Sequence, residues 1–180
     1  MTQRLQLEPN LPADAYAFQR RSYELHRDAA LVTREIQAPP VMHVRKTTTQ
    51  ALTAATVAKV QFNSTRYDTH GWWDGTNYRW LPKRAGYYQL NWSVGFEHGA
   101  SANAVCYATL YIDGNSDRAG ITINPTTTTS VTAGNSEIVY CDGTARYVEV
   151  FALCSQNTNV VGDQMYTFFC GHYLGDNQVR

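Results

Sequence analysis

The hydrophobic period of the chain changes once, at Pro39-Pro40, and it does not change back. Ahead of the prolines, Ala15, Ser22, Ala29 and Ile36 interleave with Phe18, Leu25 and Val32 at steps of three and four, which is a heptad seam. Asp14 is placed to cap the first turn after Pro12, and the diproline forbids continuation, so the spacing predicts a helix over Asp14 to Gln37. Its other positions are polar, among them Arg20, Arg21, Glu24, Arg27, Asp28, Arg34 and Glu35. A seam this narrow, half of it small residues, cannot hold an isolated helix. The expectation is that Phe18, Leu25, Ala29, Val32 and Ile36 meet identical helices in a coiled coil, or a docking surface. Packing on the chain's own head is the weaker alternative, because Pro39-Pro40 is a stiff spacer.

From Val41 onward the period is two. Tyr88, Leu90, Trp92, Val94 and Phe96 alternate with Gln89, Asn91, Ser93 and Gly95, a half-buried strand. Val57 to Phe62, Ala104 to Ile112, Glu137 to Cys141, Tyr147 to Leu153 and Met165 to Leu174 are similar runs, rich in Val, Tyr and Phe. Asp113-Gly114 and Asp142-Gly143 are predicted hairpin turns, and Thr126 to Thr129, after Pro125, an exposed loop or edge. Many short strands without intervening helix predict an all-β, antiparallel jelly-roll sandwich behind an N-terminal α-helical anchor. With 180 residues there is room for one core and an appendage, divided here as residues 1–40 and 41–180.

The last run is apolar on both sides: Tyr166, Phe168 and Cys170 share one face, Phe169 and Tyr173 the other. A sandwich strand needs one apolar face, so the second must be covered by another subunit or by a loop. Subunit contact is the preferred reading, with Tyr166, Phe168, Phe169, His172 and Tyr173 as the expected interface.

The order of motifs resembles a known family, the globular head of the first complement component, which shares the tumour-necrosis-factor-like jelly roll. The resemblance covers Met42 to Leu174. It rests on Val60-Gln61-Phe62-Asn63, Asp68 and Gly71, then Tyr78-Arg79-Trp80-Leu81-Pro82 and Ala85-Gly86-Tyr87-Tyr88-Gln89-Leu90, and on the closing Thr167-Phe168-Phe169-Cys170-Gly171-His172-Tyr173-Leu174. What it implies is a sandwich of about ten strands that assembles as a homotrimer around a threefold axis. Animal members follow a signal peptide and often a collagen stalk; a short helix stands in that place here. Phages reuse such heads on fibres, necks and capsid decorations.

Composition narrows the function classes. The formal net charge is 0, which leaves no basic surplus for phosphates, so nucleic acid is not an expected partner. Charged residues reach 17%, below the roughly 25% usual for soluble domains, and this predicts a partner-facing patch. Met1 to Pro12 contain no apolar run, so neither membrane insertion nor export is expected, and a cytosolic setting favours buried thiols over disulfides at Cys106, Cys141, Cys154 and Cys170. Gly-x-Ser-x-Gly and His-Glu-x-x-His are absent, and His26, His43, His70, His98 and His172 show no ligand spacing. No enzyme activity, metal or cofactor is therefore expected. His172 near a threefold axis would occur three times, yet a hydrogen-bonded interface histidine is the plainer reading. Asp113, Asp117, Asp142 and Asp163 are read as turn formers, and Asn63-Ser64-Thr65 and Asn91-Trp92-Ser93 as coincidental glycosylation patterns. Trp72-Trp73 is either an exposed sugar-binding platform or, more simply, a loop anchor under the sandwich.

The leading expectation is a trimeric structural protein of a bacteriophage particle, assembled in the host cytoplasm and joined to other virion proteins by residues 1–40. A receptor-binding adhesin gripping host surface glycan through Trp72 and Trp73 is the first alternative, and a secreted complement-like recognition protein the second.

Overall fold

The computed structural model describes residues 17–18, 20–29, 39–97, 103–124 and 130–176. The chain falls into two compact units, Met1–Pro39 and Pro40–Arg180.

In the first unit, residues 17–18 and 20–29 are helical. The polar side carries an Arg20–Glu24 pair one turn apart at 3.4 Å, and Arg27 Nη2 reaches Asp28 at 3.1 Å. Phe18 and Leu25, both on the predicted seam, are 74% and 64% exposed, and Ala29 is exposed as well. Among the described helical residues no large apolar side chain is buried to stabilise the helix. Ala15, Val32 and Ile36 lie outside the described residues, as does Thr126 to Thr129 in the second unit.

The second unit holds thirteen strand segments among the described residues. They are β1 (Val41–Arg45), β2 (Gln50–Leu52), β3 (Ala58–Lys59), β4 (Ser64–Asp68), β5 (Trp73–Asp74), β6 (Arg79–Trp80), β7 (Ala85–Phe96), β8 (Ala104–Ile112), β9 (Asn115–Asn124), β10 (Val131–Asp142), β11 (Val148–Cys154), β12 (Thr158–Val160) and β13 (Phe168–Gly175). Three are only two residues long, which leaves ten of three or more. Every pairing is antiparallel. The larger sheet runs β2-β12-β7-β13-β1-β4, with β10 along the free side of β7; the smaller runs β5-β6-β11-β8-β9, with β3 beside β11. The jelly-roll sandwich expected from the alternating runs is the fold observed.

The inward residues of β7, namely Tyr88, Leu90, Trp92, Val94 and Phe96, are all buried, as their alternation predicts. They meet Cys106, Ala108 and Leu110 of β8 and Val148, Val150 and Ala152 of β11. Full burial of one large apolar side chain contributes roughly 1.5–3 kcal/mol, so this layer carries much of the stability. Trp92 Nε1 donates to the Ala108 carbonyl at 3.0 Å, joining the sheets while satisfying the indole. On β13, opposite Leu90 of β7, Gly171 is required by close packing, since a Cβ there would lie 2.7 Å from the Trp80 ring and 2.8 Å from Leu90.

The two predicted turns differ. At Asp113-Gly114 both φ angles are positive, 52° and 80°, and Ile112 pairs with Asn115, so this is a tight hairpin joining β8 to β9. Asp142-Gly143 is not a hairpin. β10 ends against β7 in the larger sheet, whereas β11 begins in the smaller one, so the chain crosses between layers. The Asp142 carboxylate accepts the amides of Thr144, Ala145 and Arg146 and shapes that crossing. These bonds hold its pKa down at about 2.

Candidate functional site

Exposed apolar side chains gather on the outer face of the larger sheet, and a second exposed pair, Ile121 and Ile123, lies on β9 of the smaller one. Register builds the larger sheet's outer face in rows, because residues directly opposite each other point to the same side. One row runs Tyr67, His43, Cys170, Asn91, Ser136; the next Val41, His172, Gln89, Ile138; a third pairs Tyr87 with Tyr140. Ile138 is 53% exposed, Leu174 50% and Tyr140 45%. The Tyr87 and Tyr140 rings meet edge to face at 5.4 Å, and His43 sits between Tyr67 at 5.4 Å and Phe168 at 5.8 Å.

Polar side chains are interleaved with the apolar ones on this face, among them His43, Gln89, Asn91, Ser136 and His172. His43 Nε2 and Arg45 Nε are buried without a hydrogen-bond partner among the described residues. Burial lowers the His43 pKa, and the nearby cations Arg66 and Arg45 lower it further, so the imidazole is neutral at pH 7.

The five interface residues expected from the last run are separated by the structure. Phe169 is fully buried, packed within the chain against Phe62 at 6.2 Å and Trp73 at 6.5 Å. It has no surface left for another subunit, and placing it at an interface is corrected: it is a core residue. Tyr173 also turns inward, 5.1 Å from Tyr88, with the Arg84 guanidinium 4.2 Å above its ring. Phe168 is half-buried, and Tyr166 and His172 are exposed. Of the two ways to cover the second face, a loop covers one end of it. Thr167, fully buried, accepts the Gly95 amide at 3.1 Å and donates to the Val161 carbonyl at 2.8 Å. Beyond that end, the Val41, His172, Ile138 and Tyr140 region is open to solvent.

Ile138, Tyr140 and Tyr87 were not singled out from the sequence. The signal was present: Ile138-Val139-Tyr140-Cys141 is apolar at four consecutive positions, the same two-sided greasiness that marked the last strand.

Trp72 and Trp73 do not form an exposed platform. Both are half-buried against the core, Trp73 beside Phe62 at 6.2 Å and Trp72 beside Trp80 at 6.4 Å, with His70 at 4.8 Å. Asp68 sets the loop by accepting the amides of Gly71 at 3.1 Å and Trp73 at 2.7 Å. Asp74 receives Asn77 and Arg79, which hold its pKa down at about 2. Asp113 and Asp163 likewise accept backbone amides, from Tyr147 and Met165. No cluster of metal-ligating side chains occurs among the described residues. A neutral groove of about 490 Å³ lies between Thr122, Val131, Thr132, Val161 and Tyr166.

Comparison with solved structures places this architecture. The globular domain of zebrafish complement 1qA protein superposes with a TM-score of 0.56 at 14% identity, over 77% of this chain and 99% of that one. Murine APRIL gives 0.58 at 12%, over 76% and 99%, and the Eiger TNF of S. frugiperda 0.55 at 8%, over 78% and 96%. The class is therefore the jelly roll shared by complement globular heads and tumour-necrosis-factor-like ligands, and at these identities the likeness is one of fold. No protein-family model matches the chain, and no curated protein does.

Proposed function

We propose that the head works by association: three copies assemble through the outer faces of their larger sheets, and the trimer is a structural component of a bacteriophage particle. Residues 1–40 join it to other virion proteins, and assembly takes place in the host cytoplasm. The observation that carries the reading is the open face built from Val41, Tyr87, Ile138, Tyr140, His172 and Leu174. A single chain leaves this face wet, whereas self-association removes it from water. Threefold symmetry is what the Gly86-Tyr87-Tyr88 step and the closing strand imply through the family they resemble. The attachment role rests on the helix, whose Phe18 and Leu25 are open to a docking partner. Three copies of that helix would also multiply a weak single contact into a firm attachment.

Two measurements test this. Light scattering on the purified full chain is expected to give three times 20.2 kDa, about 61 kDa; a mass of one chain contradicts trimerisation. Peptide mass spectrometry of purified particles is expected to find this chain, and particles that lack it contradict the virion role while leaving the trimer standing.

A further inference from the structure

Cys106 and Cys154 face each other across the β8–β11 pair, with their sulfur atoms 3.0 Å apart in the buried layer. The neighbouring backbone says which kind of site they occupy. Ser155 N–H donates to the Val105 carbonyl at 2.9 Å, so the adjacent pair is the hydrogen-bonded one and Cys106–Cys154 is the non-hydrogen-bonded one. At such sites the Cα atoms stand about 4.5 Å apart and side chains are closest, inside the range that a disulfide spans. Ala55 N–H also binds the Cys154 carbonyl at 2.8 Å, so the backbone is held from both sides. Cys141 and Cys170, the other two free thiols, have no such cross-strand cysteine partner, since they pair with Gly86 and with His43 and Asn91.

We propose that Cys106 and Cys154 are a built cross-link site that closes into a disulfide in oxidising surroundings, tying β8 to β11. With a small-molecule disulfide such as oxidised glutathione as oxidant, one thiolate attacks a glutathione sulfur and expels glutathione thiolate. The second protein thiolate then attacks the mixed disulfide, forms the Sγ–Sγ bond and expels the other glutathione. Two electrons pass to the oxidant, and the two thiol protons end on the two glutathiones. Burial, reinforced by Cys154, raises the Cys106 pKa, so little thiolate exists in the closed sheet and oxidation waits on local opening.

The full chain is incubated with oxidised glutathione at about pH 8, with and without sub-denaturing urea, then denatured, alkylated and mapped. Two of the four thiols are expected to escape alkylation, those two being Cys106 and Cys154, and the protein becomes lighter by two hydrogen atoms. Urea is expected to speed the loss. The double variant Cys141→Ala/Cys170→Ala still loses both remaining thiols, whereas Cys106→Ala leaves its three reactive. Four alkylated thiols in both arms, or a bond that includes Cys141 or Cys170, overturns the proposal.

Discussion

Two aromatic doublets of similar hydrophobic weight have different fates in this fold. Phe168-Phe169 lies in a strand, where successive side chains point to opposite faces, so one ring joins the core and the other reaches the outer surface. Trp72-Trp73 sits at a loop entering a two-residue strand, where Asp68 bends the backbone and both rings turn onto the same core. Composition alone does not separate surface from core here; the backbone conformation that carries each pair does.

The largest effect should come from the inward member of the strand pair. Phe169→Ala is expected to destabilise the chain by about 3–5 kcal/mol in urea unfolding, and Trp73→Ala, half-buried, by roughly half as much. If Trp73→Ala proved nearly neutral, the doublet would be a surface feature after all. Next comes the loop's geometry: Asp68→Ala leaves the amides of Gly71 and Trp73 without their acceptor and should cost about 1–3 kcal/mol. Trp72 and Trp73 fluorescence would then shift toward that of wetter indole. Phe168→Ala should change the unfolding free energy of the single chain by less than about 1 kcal/mol, yet weaken self-association about tenfold. Equal effects on both quantities would erase the contrast between the two rings.

The smallest effect is that of acid on the loop side. Asp74 has a folded pKa of about 2, below its ordinary 3.8, because Asn77 and then Arg79 and Thr76 bind the ionised form. A depressed carboxylate contributes stability that is full above the ordinary value and is lost as pH falls toward the folded one. The urea midpoint should therefore decline between about pH 4 and pH 2, and Asp74→Asn should flatten part of that decline.

Much of the fold was legible because β7, β8 and β13 alternate strongly and are buried on one side at least. β9 was not, since Asn115 to Arg118 are polar and exposed; it is an edge strand recruited by the Asp113-Gly114 turn. Asp142-Gly143 misled for a related reason. Local turn chemistry is the same in a hairpin and in a crossover, and only long-range pairing tells them apart. The same limit governed the site. Two-sided apolar character singles out β13, but period two cannot say which face is the core, and Phe169, expected at an interface, is a core residue. Gly171, on the same side as Phe169, held the missing information, because a residue without Cβ marks where Trp80 comes close.

The central claim is that the outer face of the larger sheet joins copies of this chain. Sedimentation equilibrium of Ile138→Lys beside Val57→Lys tests it most directly, since the two positions are similarly exposed, 53% and 49%, and Val57 precedes β3 of the other sheet. The parent and Val57→Lys are expected to sediment as trimers, and Ile138→Lys as a single chain of 20.2 kDa. A monomeric parent, or a trimer that tolerates lysine at position 138, would contradict it.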